Sequence, residues 1–160
     1  QKLKNQEYDA IILSLAGLAR LNMEHLVTEV LDFKLFLPAA CQGAVGVQAL
    51  KSSNVLDIFS SINNIQTQME CMAERRVLKN INANCNSPVS IYSKIIQDKI
   101  TLEFEMFDHQ GNKIFKKSLA DEKQKYLNLS DKLSEEIVSN LGQEKIDELD
   151  KLKNDFDYTP

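Results

Sequence analysis

The sequence has little of what several function classes require. Its longest nearly uninterrupted apolar run, residues 10–19, is broken by Ser14 and Gly17 and is about half of the roughly 20 residues that a membrane-spanning helix needs. No span is expected. Arginine occurs only as Arg20, Arg75 and Arg76, and 19 basic residues stand against 23 acidic ones for a net charge of −4. That balance contains no basic stripe of the kind phosphate backbones select, so nucleic acid is not an expected partner. The two histidines, His25 and His109, lack the spacing of a ligand pair, and the three cysteines, Cys41, Cys71 and Cys85, are widely separated with no C-x-x-C. Neither a metal centre nor a disulfide framework is expected, and a reducing cytoplasm suits the cysteine usage.

What is present is a chain of 160 residues, 43% apolar and 26% charged, enough for one to one and a half globular domains. It opens at Gln1 rather than Met and enters an apolar segment almost at once, which reads as part of a longer protein. Residues 8–18, with adjacent Ile11 and Ile12 and polar flanks, suit a strand covered on both faces. Over 16–31 the apolar residues recur at helical spacing and predict one or two short helices, and 33–37 reads as a second brief extended piece before Pro38. Gly43 and Gly46, three apart in an apolar setting, suggest a bend or close backbone approach.

The pattern becomes clearer beyond residue 54. Val55, Ile58, Phe59, Ile62, Ile65, Met69, Met72, Val77, Leu78 and Ile81 step by three, four or five, predicting a helix over 54–81 that breaks near Asn63-Asn64. Asn82-Ala83-Asn84-Cys85-Asn86-Ser87-Pro88 is then an exposed loop carrying a cysteine. Residues 89–96 are β-rich, and Ile100, Leu102, Phe104 and Met106 alternate with Thr101, Glu103 and Glu105 as in a strand buried on one face. Asp108-His109-Gln110-Gly111-Asn112 is a hairpin turn, with 113–119 returning. An amphipathic helix over 121–141 stops near Gly142, and a charged helix from 143 to about 153 is expected to be peripheral. The last hundred residues thus read as α+β: a small antiparallel sheet with helices on one face.

Three strings carry more than periodicity. Tyr8-Asp9-Ala10-Ile11-Ile12-Leu13-Ser14-Leu15-Ala16-Gly17-Leu18-Ala19-Arg20-Leu21, Leu37-Pro38-Ala39-Ala40-Cys41-Gln42-Gly43-Ala44-Val45-Gly46-Val47, and Ala73-Glu74-Arg75-Arg76 with Cys85-Asn86-Ser87-Pro88-Val89-Ser90 resemble porphobilinogen deaminases (hydroxymethylbilane synthases) in order and spacing. The resemblance covers about residues 7 to 118. Three places depart from the family pattern: Ala83-Asn84 precede the loop cysteine where two glycines are usual, Ala40-Cys41 stand where Val-Gly is usual, and Gln48 stands where an acidic residue is common.

The resemblance implies a three-domain transferase of tetrapyrrole and heme biosynthesis, of which this chain supplies the second half. Residues 1–40 would end domain 2, a periplasmic-binding-protein-like α/β domain. Residues 41–64 would return through domain 1, and 65–160 would form the cofactor-carrying domain 3. Cys85 would hold a dipyrromethane cofactor through a thioether, because a thiolate is a soft nucleophile suited to a pyrrolylmethyl carbon. Arg20 would bind substrate carboxylates in a forked, permanently charged geometry. Porphobilinogen and the growing linear tetrapyrrole would be its ligands, and the missing N-terminal half its partner in a monomeric enzyme. The family's catalytic aspartate lies in that half, so no catalytic residue is expected in this chain, nor activity from it alone. Cys41 and Cys71 read as hidden packing residues, and Arg75 and Arg76 as surface or interdomain pairing residues. The competing reading, from another class, is a noncatalytic fragment acting as a folded interaction module.

Overall fold

The structure, a computed structural model, describes residues 2–84 and 86–151, with side chains as far as residue 148. The chain divides at Phe36/Leu37 into two compact units.

In the first unit, α1 (Leu15–Arg20) is capped by Ser14, whose Oγ accepts the Gly17 N–H at 3.4 Å, and a 3-10 turn follows at Glu24–Leu26. The short helices expected over 16–31 are thus present. The strand expected over 8–18 is not: residues 10–14 lie outside any helix or ladder, and α1 starts at Leu15. A strand requires partners for its N–H and C=O groups, and among the described residues every strand belongs to the second unit. The extended piece expected over 33–37 is a turn instead, because Asp32 accepts the Lys34 N–H at its side chain and the Phe36 N–H at its carbonyl, both at 2.9 Å. No described residue of this unit is buried. Tyr8, Ile11, Ile12, Leu13, Leu21 and Leu26 are all more than half exposed.

The second unit has a core. The predicted break in the long helix separates α2 (Leu56–Ser61) from α3 (Ile65–Asn80), and Asn64 explains it by capping α3, its Oδ1 accepting the Thr67 N–H at 2.9 Å. β1 (Val89–Ile96), β2 (Lys99–Phe107) and β3 (Lys113–Glu122) form an antiparallel sheet in the order β1-β2-β3. The register sets Ile91 opposite Phe104 and Leu102 opposite Leu119, so alternation along each strand gathers Ile91, Ile95, Ile100, Leu102, Phe104 and Met106 on one buried face. After a 3-10 turn (Lys123–Lys125), α4 (Tyr126–Leu141) covers that face with Leu129, Leu133 and Ile137 and ends at Gly142, whose φ of 78° suits glycine. Then α5 (Gln143–Lys151) follows. It is less peripheral than its charge suggests, since Ile146 is buried in the core.

Helices α3 and α4 approach closely where their side chains are small. Ala73 is fully buried, and the Ser130 hydroxyl lies 2.9 Å from its carbonyl. Arg76 closes the rim with a bidentate pair to Asp131, Nε to Oδ1 at 2.7 Å and Nη2 to Oδ2 at 3.0 Å. On the sheet's other face, Glu105 is buried between Lys113 and Lys116, at 2.7 and 2.9 Å. Burial alone would raise its carboxyl, but the two ammonium groups outweigh that and hold it below the usual carboxylate range. A lowered folded-state pKa stabilises the fold above the unfolded pKa, and that contribution disappears as the pH falls through the folded one.

The two units should respond differently to truncation. Phe104→Ala removes a ring that is fully buried, and urea unfolding followed by circular dichroism should lose about 3–5 kcal/mol. Leu35→Ala, at a side chain 75% exposed, should stay within about 0.5 kcal/mol. Equal losses would contradict this assignment of the core.

Candidate functional site

The cysteine loop begins where α3 stops, and the stop is a Schellman motif. Asn82 takes a φ of 57°, its N–H reaches the Lys79 carbonyl at 3.2 Å, and the Ala83 N–H reaches the Leu78 carbonyl at 2.8 Å. Asparagine tolerates this left-handed backbone better than most residues. Buried Ile81 and half-buried Ala83 anchor the start, while Asn82, Asn84 and Asn86 face solvent. The turn is tied locally by Asn84 N–H to Ser87 Oγ at 2.8 Å and Asn86 N–H to Asn84 Oδ1 at 3.0 Å. At its far end the Phe107 N–H of the central strand donates to the Pro88 carbonyl at 2.9 Å. An exposed polar loop fixed at both ends can carry a bulky charged substituent without disturbing the core, so its residues fit a thioether-linked group bearing carboxylates. Cys85 itself lies outside the described residues.

Arg20 is in the other unit, as the last residue of α1. It is exposed, and among the described residues no carboxylate pairs with it. Arg76, by contrast, is committed to Asp131 within its own unit, which makes it a surface pairing residue.

A second polar cluster lies where residues 38–41 run beside β1 and α3. Glu74, 6% exposed, collects three donors: the Ser93 N–H at 2.8 Å and hydroxyl at 2.7 Å on Oε1, and the Cys41 N–H at 2.5 Å on Oε2. One turn earlier, Glu70 Oε1 accepts the Ile95 N–H at 2.7 Å. An open pocket of about 230 Å³ adjoins this cluster, lined by Pro38, Cys41, Thr67, Glu70, Cys71 and Tyr92 among others. Cys41 and Cys71 are therefore not hidden as expected; both are half-buried. Burial foremost, then the neighbouring Cys71 thiol and the Glu74 carboxylate, push the Cys41 thiol up to about 11 against the opposing charge of Arg75. Periodicity had singled out neither glutamate. The available signal was their spacing, since Gln66, Glu70 and Glu74 at i, i+4 and i+8 lie on one helix face.

Two family models match the chain: "Porphobilinogen deaminase, dipyromethane cofactor binding domain" over residues 1–57, and "Porphobilinogen deaminase, C-terminal domain" over residues 68–139. The chain is 37% identical over 139 residues to a porphobilinogen deaminase of Clostridium kluyveri, covering 87% of this chain and 47% of that protein. It is 35% identical over 138 residues to one from Clostridium beijerinckii, covering 86% and 47%. With one from Clostridium botulinum the identity is 32% over 140 residues, covering 88% and 48%. The chain spans about half the length of the curated relatives it matches.

Glu74→Gln provides a test of the cluster. Both carboxylate oxygens face donors, so whichever end carries the amide nitrogen sets donor against donor. The change should lower stability by about 1–3 kcal/mol, read from the urea midpoint, with faster amide exchange at Cys41 or Ser93. An unchanged midpoint would show that the contacts contribute nothing.

Proposed function

Because the chain belongs to the porphobilinogen deaminase family, we propose that it is the C-terminal part of a hydroxymethylbilane synthase. That transferase condenses four porphobilinogen units one at a time, with loss of ammonia, and then releases linear hydroxymethylbilane by hydrolysis. The observation that carries the reading is the succession of the two family models, the second of which contains the Cys85-Asn86-Ser87-Pro88 string. A bound dipyrromethane supplies the primer on which the units are joined.

This chain's own residues have narrower tasks. In this reading Cys85 holds the primer: its thiolate suits a pyrrolylmethyl carbon, and a thioether, unlike an ester, survives turnover. The loop's described ends, Asn82 and the Pro88–Phe107 hydrogen bond, support that role by tying the string on both sides to the core. Arg20 binds carboxylates of the growing chain as a forked cation. Its exposure and lack of an ion pair among the described residues support this, since it has no competing carboxylate to give up.

The same reading places residues 1–40 at the end of a periplasmic-binding-protein-like domain 2, 41–64 as a return through domain 1, and 65–160 as domain 3. The uncovered apolar residues support it: Ile12, Leu13, Val45, Val47 and Leu50 are each more than half exposed, as expected of surfaces that another stretch of the same protein covers. No helix among the described residues is long and apolar enough to cross a membrane. The complete enzyme is proposed to be a cytoplasmic monomer, with the proton-handling aspartate outside this chain.

In the full-length protein, Cys85→Ser should abolish the covalent pyrrole adduct and activity together, whereas Cys41→Ser and Cys71→Ser keep the adduct. Peptide mass spectrometry decides it, and an adduct mapped to Cys41 or Cys71 would remove the assignment.

Arg20→Lys keeps the charge but loses the fork. Losing one charge-assisted pair is worth about 1.5–3 kcal/mol, so elongation or substrate binding should weaken about tenfold to a hundredfold while the melting temperature holds. Unchanged kinetics would place Arg20 outside the binding cleft.

A further inference from the structure

Two thiols, those of Cys41 and Cys71, line the pocket beside Glu70 and Glu74. Cys41 has a φ of 59°, a left-handed backbone that side chains other than asparagine, aspartate and glycine seldom adopt. Strain of this kind persists only where surrounding contacts impose it. Here the Glu74 carboxylate holds the Cys41 N–H. The geometry aims the thiol at helix α3, where Cys41 Sγ donates to the Cys71 carbonyl at 3.7 Å. Both cysteines are half-buried and both line the open pocket, so a small reagent reaches them from solvent.

We propose that Cys41 and Cys71 form a reversible dithiol–disulfide site, oxidised by low-molecular-weight disulfides such as glutathione disulfide, that staples residues 38–41 to α3. The reaction begins at Cys71, because the Cys41 S–H is engaged with the Cys71 carbonyl and burial favours its protonated form. The Cys71 thiolate attacks one sulfur of glutathione disulfide, forming a mixed disulfide and expelling glutathione thiolate. The Cys41 thiolate then attacks Cys71 Sγ and expels the second glutathione. Two protein thiols lose two electrons and two protons; the oxidant disulfide gains both and leaves as two glutathione thiols. The link requires no other residue and does not depend on the proposed transferase function.

The test uses the chain as it is, with all three cysteines. After exposure to glutathione disulfide and alkylation of remaining thiols, the intact mass should show the loss of two hydrogens together with a single added group, on Cys85. Digestion should yield a Cys41–Cys71 cross-linked peptide, reversed by dithiothreitol, with both thiols lost to alkylation. Cys41→Ser should trap glutathione on Cys71, whereas Cys71→Ser should leave Cys41 alkylatable. Stable glutathione adducts in place of the link, a link of either cysteine to Cys85, no reaction at either position, or a link forming no faster in the native chain than in urea would each overturn the proposal.

Discussion

The free edge of β1 is the constraint around which the second unit is arranged. An edge strand exposes a row of N–H and C=O groups that must find partners or remain a template for another chain. Here the Ile91, Ser93 and Ile95 N–H groups are taken by the Pro38 carbonyl, Glu74 and Glu70, and the Ile95 carbonyl by the Gln66 amide. The match is geometric. Four helical residues advance about 6 Å and two strand residues about 6.6 Å, so carboxylates at i and i+4 of α3 meet alternate amides of β1. This side-chain ladder fixes the helix against the sheet. It also fixes Cys41, whose amide shares the Glu74 carboxylate.

From that placement the rest of the unit follows. With α3 held along the edge, its Ala73 face is presented to Ser130 of α4, and Arg76 and Asn80 both reach Asp131, the latter at 2.7 Å. The C-terminus of α3 then launches the cysteine loop in a direction set by the Schellman turn at Asn82, and the central strand recovers it at Pro88. The described ends of the loop are thereby tied to the best-packed part of the molecule, although Asn82, Asn84 and Asn86 face solvent.

What was legible in the sequence divides along the same line. The hairpin, the break at Asn63-Asn64 and the stop at Gly142 could be read because local chemistry decides them: alternation, an asparagine cap, a glycine at positive φ. The cysteine loop was bounded correctly for the same reason. The apolar run at 8–18 was misread because its hydrophobicity reports a covered environment, while strand formation depends on ladder partners that the run does not contain. Glu70 carries no mark in the sequence and Glu74 stands only within a family string, because a carboxylate held by backbone amides resembles a solvated one until the amides opposite it are located. Cys41 was read as packing; its positive φ is a property of the fold that no local pattern announces.

The first unit leaves one obligation unmet within the described residues. Ala10-Ile11-Ile12-Leu13 is uncharged and free of proline and glycine, and it lies outside any ladder with its two isoleucines more than half exposed. Such a segment is a ready template for adding strands from other copies, held in check mainly by Asp9 as a gatekeeper. In a nascent polypeptide, exposed apolar runs of this kind are where aggregation and chaperone binding begin.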